Sequence, residues 1–271
     1  MIPATPAPSP TPQPPCVTPI AVTLADRPGT GSATSTGGAP CVVPLGELVI
    51  ESGVRRELTW EPDYSVLSSG PLTLLRYGIA PRLEFAIAPP SNQSLFVPAY
   101  PLDNGRGPND PALDLKYGLL DQPVTQASVD VTYVPPTGSG AFTNGAPTYS
   151  ISGNLAIAIN DRWSFAMSQA VGTNVGANAA GLNVTYFDYT PSYTFAYAIT
   201  NATSFLVQVA LESRQSPEQP SGNRSYLALQ QTIGSRLAID LDFERNLKPA
   251  PGLGPQQALG FGFVWIAAPA R

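Results

Sequence analysis

Charged residues recur at every second position in several short segments, and this spacing limits the chemistry that they can do. The clearest case is Asp240, Asp242 and Glu244, which an extended strand would project to one side. Paired carboxylates are the groups that glycoside hydrolases use as acid and base. The same spacing describes the polar wall of a β-barrel, and consecutive carboxylates on one strand favour the wall over a hydrolytic site.

The composition narrows the choice of function. The 271 residues include no histidine, which excludes Ser-His-Asp and Cys-His catalysis and histidine ligation of metals. A net charge of −5 argues against a nucleic-acid partner. Charged residues make up 12% of the chain, about half of the roughly 25% found in soluble domains. We therefore predict a protein with no enzymatic activity, no cofactor and no metal, much of whose exterior does not face water.

The chain from residue 45 onward alternates apolar and polar residues, which is typical of β-strands. In the segment 47–60, Leu48, Ile50 and Val54 share one face, and Glu51 and Arg55 share the other. Similar alternation predicts eleven further strands near 71–79, 82–88, 113–119, 128–133, 149–159, 163–168, 187–199, 205–212, 227–233, 237–244 and 259–265. Short turns alternate with long connections, and an even number of strands with this alternation is typical of outer-membrane barrels.

The sequence therefore predicts an all-β fold, an up-and-down antiparallel transmembrane β-barrel of about twelve strands over residues 45–271. In such a barrel the apolar face meets lipid and the polar face lines the lumen. Aromatic residues near the ends of the apolar face fit the girdles at the membrane interfaces: Trp60, Tyr77, Tyr117, Tyr133, Tyr149, Trp163, Phe205, Phe243 and Trp265. A secreted soluble β-sandwich that binds a ligand is the alternative, because alternation alone does not separate the two folds.

Charged side chains on the polar face are the candidates for function. The lumen-lining candidates are Glu51, Arg55, Arg76, Glu84, Asp114, Lys116, Asp130, Asp240, Asp242 and Glu244. Opposite charges that pair across a small lumen would fill it structurally. The same residues along a narrow polar path would set its selectivity, and the acidic excess would favour neutral or cationic solutes. Both interpretations stay open at this point.

Residues 1–44 have a different composition, with seven prolines in 1–15 and a Gly/Ser/Thr-rich stretch at 28–39. We expect a flexible Pro/Gly-rich tail on the periplasmic side, the side of the short turns. It holds the two cysteines, Cys16 and Cys41, which would form a disulfide in an oxidising periplasm or stay free thiols. The start lacks the pattern of a secretory signal peptide, so we expect that peptide to be removed or missing from this chain.

Short motifs on the predicted hairpins resemble those of a known family. They are Leu74–Glu84, Asp114–Asp121, Tyr133–Gly138 and Ile159–Ser164. They are similar to hairpins of the Gram-negative outer-membrane barrels labelled "transporter" or "putative MetA-pathway of phenol degradation". The resemblance implies an outer-membrane channel for small, hydrophobic or aromatic solutes, with outer-membrane lipid and a small-molecule solute as partners. A structural barrel whose lumen is plugged by side chains is the alternative.

Overall fold

The computed structural model describes residues 39–60, 65–100, 104–178, 180, 182–214, 217, 220–248 and 256–268. They form fourteen strand segments: β1 (Leu48–Trp60), β2 (Ser65–Ala80), β3 (Leu83–Ala88), β4 (Asn92–Phe96), β5 (Gly105–Pro108), β6 (Ala112–Asp121), β7 (Thr125–Val134), β8 (Thr148–Ala158), β9 (Trp163–Ala177), β10 (Asn183–Ala198), β11 (Thr203–Arg214), β12 (Pro220–Ile233), β13 (Leu237–Lys248) and β14 (Gln256–Ala268). A single-turn 3-10 helix lies at Gly140–Phe142. None of the described residues forms a helix that is long and apolar enough to span a membrane.

The strands close into one barrel. β1 pairs with β14 on one side and with β2 on the other, and every pairing between strands is antiparallel. Strands that follow one another in the chain are neighbours in the sheet from β6 to β14. Because the first and last strands pair over their whole length, the sheet closes on itself, as a membrane barrel requires. The predicted closed antiparallel barrel of twelve strands is confirmed.

Fourteen segments make twelve wall strands because two strands are interrupted. β2 pairs with β3 near the short turns and with β4 higher up, so β3 and β4 are two halves of one strand. β3–β6 and β4–β5 share one register, so β5 and β6 are likewise two halves. The interruptions fall at 89–91 and 109–111, where prolines cannot donate a backbone hydrogen bond to the neighbouring strand. The predicted strands near 82–88 and 113–119 leave 89–112 as one long connection, and the structure corrects this because β4 and β5 continue the wall within it.

The two faces of the wall have opposite chemistry. Carboxylates such as Glu51 and Asp240 are almost fully buried inside the barrel, whereas Leu241 and Phe261 are about half exposed on the outside. This arrangement inverts that of a soluble protein, in which the apolar face is buried. Aromatic pairs lie at both ends of the exterior: Trp163 contacts Tyr197 near the short turns, and Tyr133 stacks on Tyr149 near the long connections.

The described chain begins inside the barrel. Residues 39–45, which we call the inner segment, run from the lumen to the rim near the short turns, where Leu45 forms a bridge with Gly78. Ala39, Cys41 and Val43 are buried and pack with inward-facing residues of β1, β13 and β14. The predicted tail includes 39–44, and these six residues lie inside the barrel and at its rim. The rest of the predicted tail, 1–38, lies outside the described residues.

Candidate functional site

The lumen holds all ten charged residues that the alternation singled out. Nine of them are buried, and the side chain of the tenth, Arg55, is only 9% exposed. They divide into two groups along the barrel axis. The clamp lies near the short turns and comprises Glu51, Arg76, Glu84, Asp114, Lys116 and Asp130. The ladder lies toward the long connections and includes Arg55, Asp242 and Glu244, with Asp240 next below on β13.

Arg76 is the centre of the clamp. Its guanidinium donates to both oxygens of Glu84, at 2.6 and 2.9 Å, and to Glu51 at 2.8 Å. β2 places Arg76 between these partners, because Glu51 is on β1 and Glu84 is on β3. All three side chains are at most 1% exposed. One cation is thus shared by two carboxylates in a site closed to water, where breaking a pair is costly.

The clamp binds the main chain of the inner segment. Arg76 Nη2 donates to the carbonyl oxygen of Cys41 at 3.0 Å, and Lys116 Nζ donates to that of Ala39 at 2.9 Å. The amide of Val43 donates to Glu84 Oε2 at 2.8 Å. Charged groups of three neighbouring wall strands, β2, β3 and β6, therefore hold the segment inside the barrel. Since these bonds are to the backbone, the clamp recognises an extended chain rather than particular side chains.

Two glycines show how tightly the wall meets its contents. A Cβ atom at Gly78 would collide with the carbonyl oxygen of Pro44, so the wall strand approaches the inner segment backbone to backbone. A Cβ atom at Gly260 would collide with the carboxylate of Asp242 on the neighbouring strand. The missing side chains thus make room for the inner segment at one level and for a lumen carboxylate at another.

Further polar contacts extend the clamp around the wall. Lys116 lies directly opposite Glu84 on one side and Asp130 on the other. Asp114 accepts a hydrogen bond from Thr132 at 2.8 Å, and Asp130 accepts one from Ser152. The buried acidic side chains on β6 and β7 thus each accept a hydrogen bond from a hydroxyl group, and a lysine lies between Asp130 and Glu84 in the register.

The ladder is a row of alternating charges from four strands, β1, β13, β12 and β11, with β14 lying between β1 and β13. Arg55 pairs with Glu57 at 3.3 Å and with Glu244 at 3.0 Å. Arg224 pairs with Glu244 at 3.2 Å and with Glu212 at 3.0 Å. Unlike the clamp, the ladder is partly open to solvent, since the side chain of Arg224 is 19% and that of Glu57 is 25% exposed. These four bonds each join one side chain to another.

Sequence reasoning misses Arg224. The alternation that it used begins at Leu227, whereas β12 begins at Pro220 and carries Arg224 on the inward face. Extending the same two-residue period backward from Ala228 through Tyr226 would have found it. The inner segment was missed for another reason, because only the closed barrel shows that an extended chain enters the lumen.

The remaining wall, from β8 to β11, is polar but uncharged along most of its inward face. Hydroxyl and amide side chains predominate: Ser150, Ser152, Asn154, Ser164, Ser168, Thr190, Thr194, Ser204 and Gln208. Small alanines lie among them at Ala156, Ala166 and Ala196. The lumen thus has a charged side and a neutral side, and the neutral side offers hydrogen bonds without a fixed charge.

The structure describes one of the two cysteines. Cys41 is buried in the inner segment, and its Sγ lies 3.9 Å from Arg76 Nη2. Cys16 lies outside the described residues, so the predicted pairing of the two stays a prediction.

Known structures share this architecture. An outer membrane channel from Pseudomonas putida F1 aligns with a TM-score of 0.67 at 12% identity, over 83% of this chain and 96% of that one. The NanC porin aligns with a TM-score of 0.54 at 10% identity, over 79% of this chain and 98% of that one. The translocator domain of the autotransporter NalP from Neisseria meningitidis aligns with a TM-score of 0.53 at 7% identity, over 81% and 88%.

No family model and no curated protein matches the sequence. The structural similarities confirm the prediction that the chain has the fold of bacterial outer-membrane channels and porins. They do not support the narrower resemblance to the MetA-pathway family, which stays a prediction.

Proposed function

We propose that this protein is an outer-membrane channel that passes small solutes and that the inner segment narrows its path near the short turns. The observation that carries the proposal is the polar lumen of a closed barrel, with a charged side and a neutral side. A wall of hydroxyl and amide groups can exchange hydrogen bonds with a solute at low cost. The short turns lie on the periplasmic side in this proposal, as in other outer-membrane barrels.

The ladder supports a preference for neutral or cationic solutes. It joins three glutamates, Glu57, Glu212 and Glu244, to two arginines, and Asp242 lies on the same strand as Glu244. An excess of carboxylates along a path of low dielectric raises the local concentration of cations and excludes anions. The finer proposal of hydrophobic or aromatic solutes rests on the family resemblance alone.

Two measurements test the proposal. In planar bilayers the purified full chain should give steps of conductance in potassium chloride, with cations more permeant than anions. In a liposome-swelling assay, neutral sugars should enter faster than sugar acids of similar size, and an aromatic alcohol tests the finer proposal. If the chain gave no conductance, and no swelling above that of empty liposomes, the proposal of a channel would be refuted.

The inner segment favours a second candidate, a structural barrel whose lumen is closed. Its main chain is held by three charged side chains, and Ala39 and Val43 are fully buried. A variant that weakens this hold distinguishes the candidates, because Gly78→Ala places a methyl group against Pro44. A channel conducts before the change and conducts more after it, whereas a structural barrel conducts only after it.

A further inference from the structure

Three arginines face outward in the half of the barrel near the long connections. Arg56 is on β1, Arg245 on β13 and Arg106 on β5, and all three are exposed. No carboxylate of the described residues lies within salt-bridge distance of their guanidinium groups. No acidic residue shares the outward face of the described strands in that half. We call these three residues the arginine patch.

The patch lies in the half of the apolar exterior near the long connections, one row below the apolar residues Leu58, Leu67 and Phe96. Arg56 follows Leu48 by eight residues and Arg245 follows Leu237 by eight, so the two lie at similar heights above the short-turn ends of their strands. For strands tilted by about 40°, that height is roughly 20 Å, against an apolar band about 25 Å tall. The row below Arg56 is apolar, with Val54 opposite Phe261 and Pro71, and Phe261 opposite Leu241.

A groove connects two members of the patch. The register sets Arg56 opposite Ser69, Ser69 opposite Ser94, and Ser94 opposite Arg106. The two serines contact each other at 2.8 Å between their hydroxyl oxygens and leave a depression between the longer arginines. This outer groove has a volume of about 580 Å³ and continues onto the apolar surface of Leu241, Leu259 and Phe261.

We propose that the arginine patch binds the phosphate groups of a lipopolysaccharide molecule in the outer leaflet. The proposal rests on the proposed outer-membrane location and orientation. Guanidinium groups bind phosphate oxygens with two parallel hydrogen bonds, and several arginines can bind one polyphosphorylated headgroup. The apolar row below the patch offers a surface for acyl chains, which a free phosphate ion would leave unused.

Position and charge both argue for a lipid with a phosphorylated headgroup. An outward arginine costs about 2–4 kcal/mol at the middle of a bilayer and about 0–1 kcal/mol near its interfaces. The cost therefore falls toward the end of the apolar band at which the patch lies, and a phosphate partner would offset what remains. A basic cluster at that level attracts anionic headgroups. The lipid would lie on the barrel exterior and would not compete with a solute in the lumen.

Native mass spectrometry of the full chain in detergent, titrated with rough-type lipopolysaccharide, tests the proposal. The triple variant Arg56→Ala/Arg106→Ala/Arg245→Ala should bind this lipid on the order of 100-fold more weakly than the unaltered chain, since each surface arginine contributes on the order of 1 kcal/mol. Changing the same three residues to lysine should restore most of the binding, because the charges return. The same lipid stripped of its phosphates should bind weakly to every form.

The matched control removes three exposed arginines from the short-turn end: Arg82→Asn/Arg162→Ala/Arg236→Ala. Asparagine replaces Arg82 because the φ of that residue is 64°. This variant should bind lipopolysaccharide like the unaltered chain. The proposal is overturned if the patch variant and the short-turn variant bind the lipid equally well. It is also overturned if millimolar inorganic phosphate displaces the lipid fully. Heat-modifiable gel mobility verifies folding, and conductance recorded on the same preparations keeps a failed channel separate from a failed lipid site.

Discussion

The clamp and the ladder both place alternating charges inside the barrel, yet they differ in what completes them. In the clamp, Arg76 and Glu84 bind each other and also the main chain of the inner segment, and water is excluded. In the ladder, Arg224 and Glu57 bind other side chains among the described residues, and both remain partly exposed. The same residue types therefore fix a segment at one level and present charge to the lumen at another.

The environment explains the difference. Buried ion pairs are costly to break, because the remaining partner is left uncompensated in a medium of low dielectric. Exposed pairs contribute little to stability, because water and salt screen them. We therefore expect changes in the clamp to act on stability and on the position of the inner segment, and changes in the ladder to act on ion selectivity.

The largest effect should come from Arg76→Ala. This change leaves Glu51 and Glu84 without their shared cation and removes the bond to the inner segment. The free energy of unfolding should fall by about 3–5 kcal/mol. Urea-induced unfolding in lipid vesicles measures it. Arg236→Ala, an exposed arginine in a short turn, is the control and should leave the midpoint unchanged, and a similar loss in both variants would contradict the role of the clamp.

Gly78→Ala should have the next largest effect. The added methyl group meets the backbone of Pro44, which has little freedom to move, so we expect a loss of about 1–3 kcal/mol and a higher conductance. Gly260→Ala should cost less, because its methyl group meets only the carboxylate of Asp242.

Gly153→Ala is the control for both glycines, because a Cβ atom there has no neighbour within 4 Å. Urea unfolding of the three variants measures the order of their losses in stability, and single-channel recording measures their conductance. If Gly260→Ala destabilised the barrel more than Gly78→Ala, the inner segment would not be the tighter of the two contacts.

The alternation of residues made most of the architecture predictable. Because a strand exposes every second residue to the same face, the sequence alone located twelve strands and the inward side of residues such as Glu51 and Asp242. The halves of the interrupted strands were not predictable, since Pro89 and Pro90 usually end a strand and only the paired register shows that the wall resumes. The position of the inner segment inside the lumen was not predictable either, because it depends on closure of the barrel and local sequence patterns carry no information on closure.

Arg224→Ala should alter selectivity more than stability. Removing this cation leaves Glu212 and Glu244 with less positive charge nearby, so the permeability ratio of potassium to chloride should rise by about twofold or more. The reversal potential in a salt gradient measures the ratio. Arg162→Ala, which lies at a short turn, should leave it unchanged. An unchanged reversal potential for Arg224→Ala would mean that ions do not pass the ladder.

The smallest effect is expected from Glu57→Gln, at the exposed end of the ladder. Glu57 pairs with Arg55 at 3.3 Å, its side chain is 25% exposed, and Arg55 keeps its shorter bond to Glu244. The loss of stability should be below about 1 kcal/mol, as for other exposed ion pairs. It should shrink further at about 1 M salt, where charges are screened within about 3 Å. The matched change in the clamp, Glu84→Gln, removes a carboxylate that salt does not reach, so its larger cost should persist at high salt. Urea unfolding of both variants at two salt concentrations measures this contrast, and equal salt dependence would show that the ladder is as closed to water as the clamp.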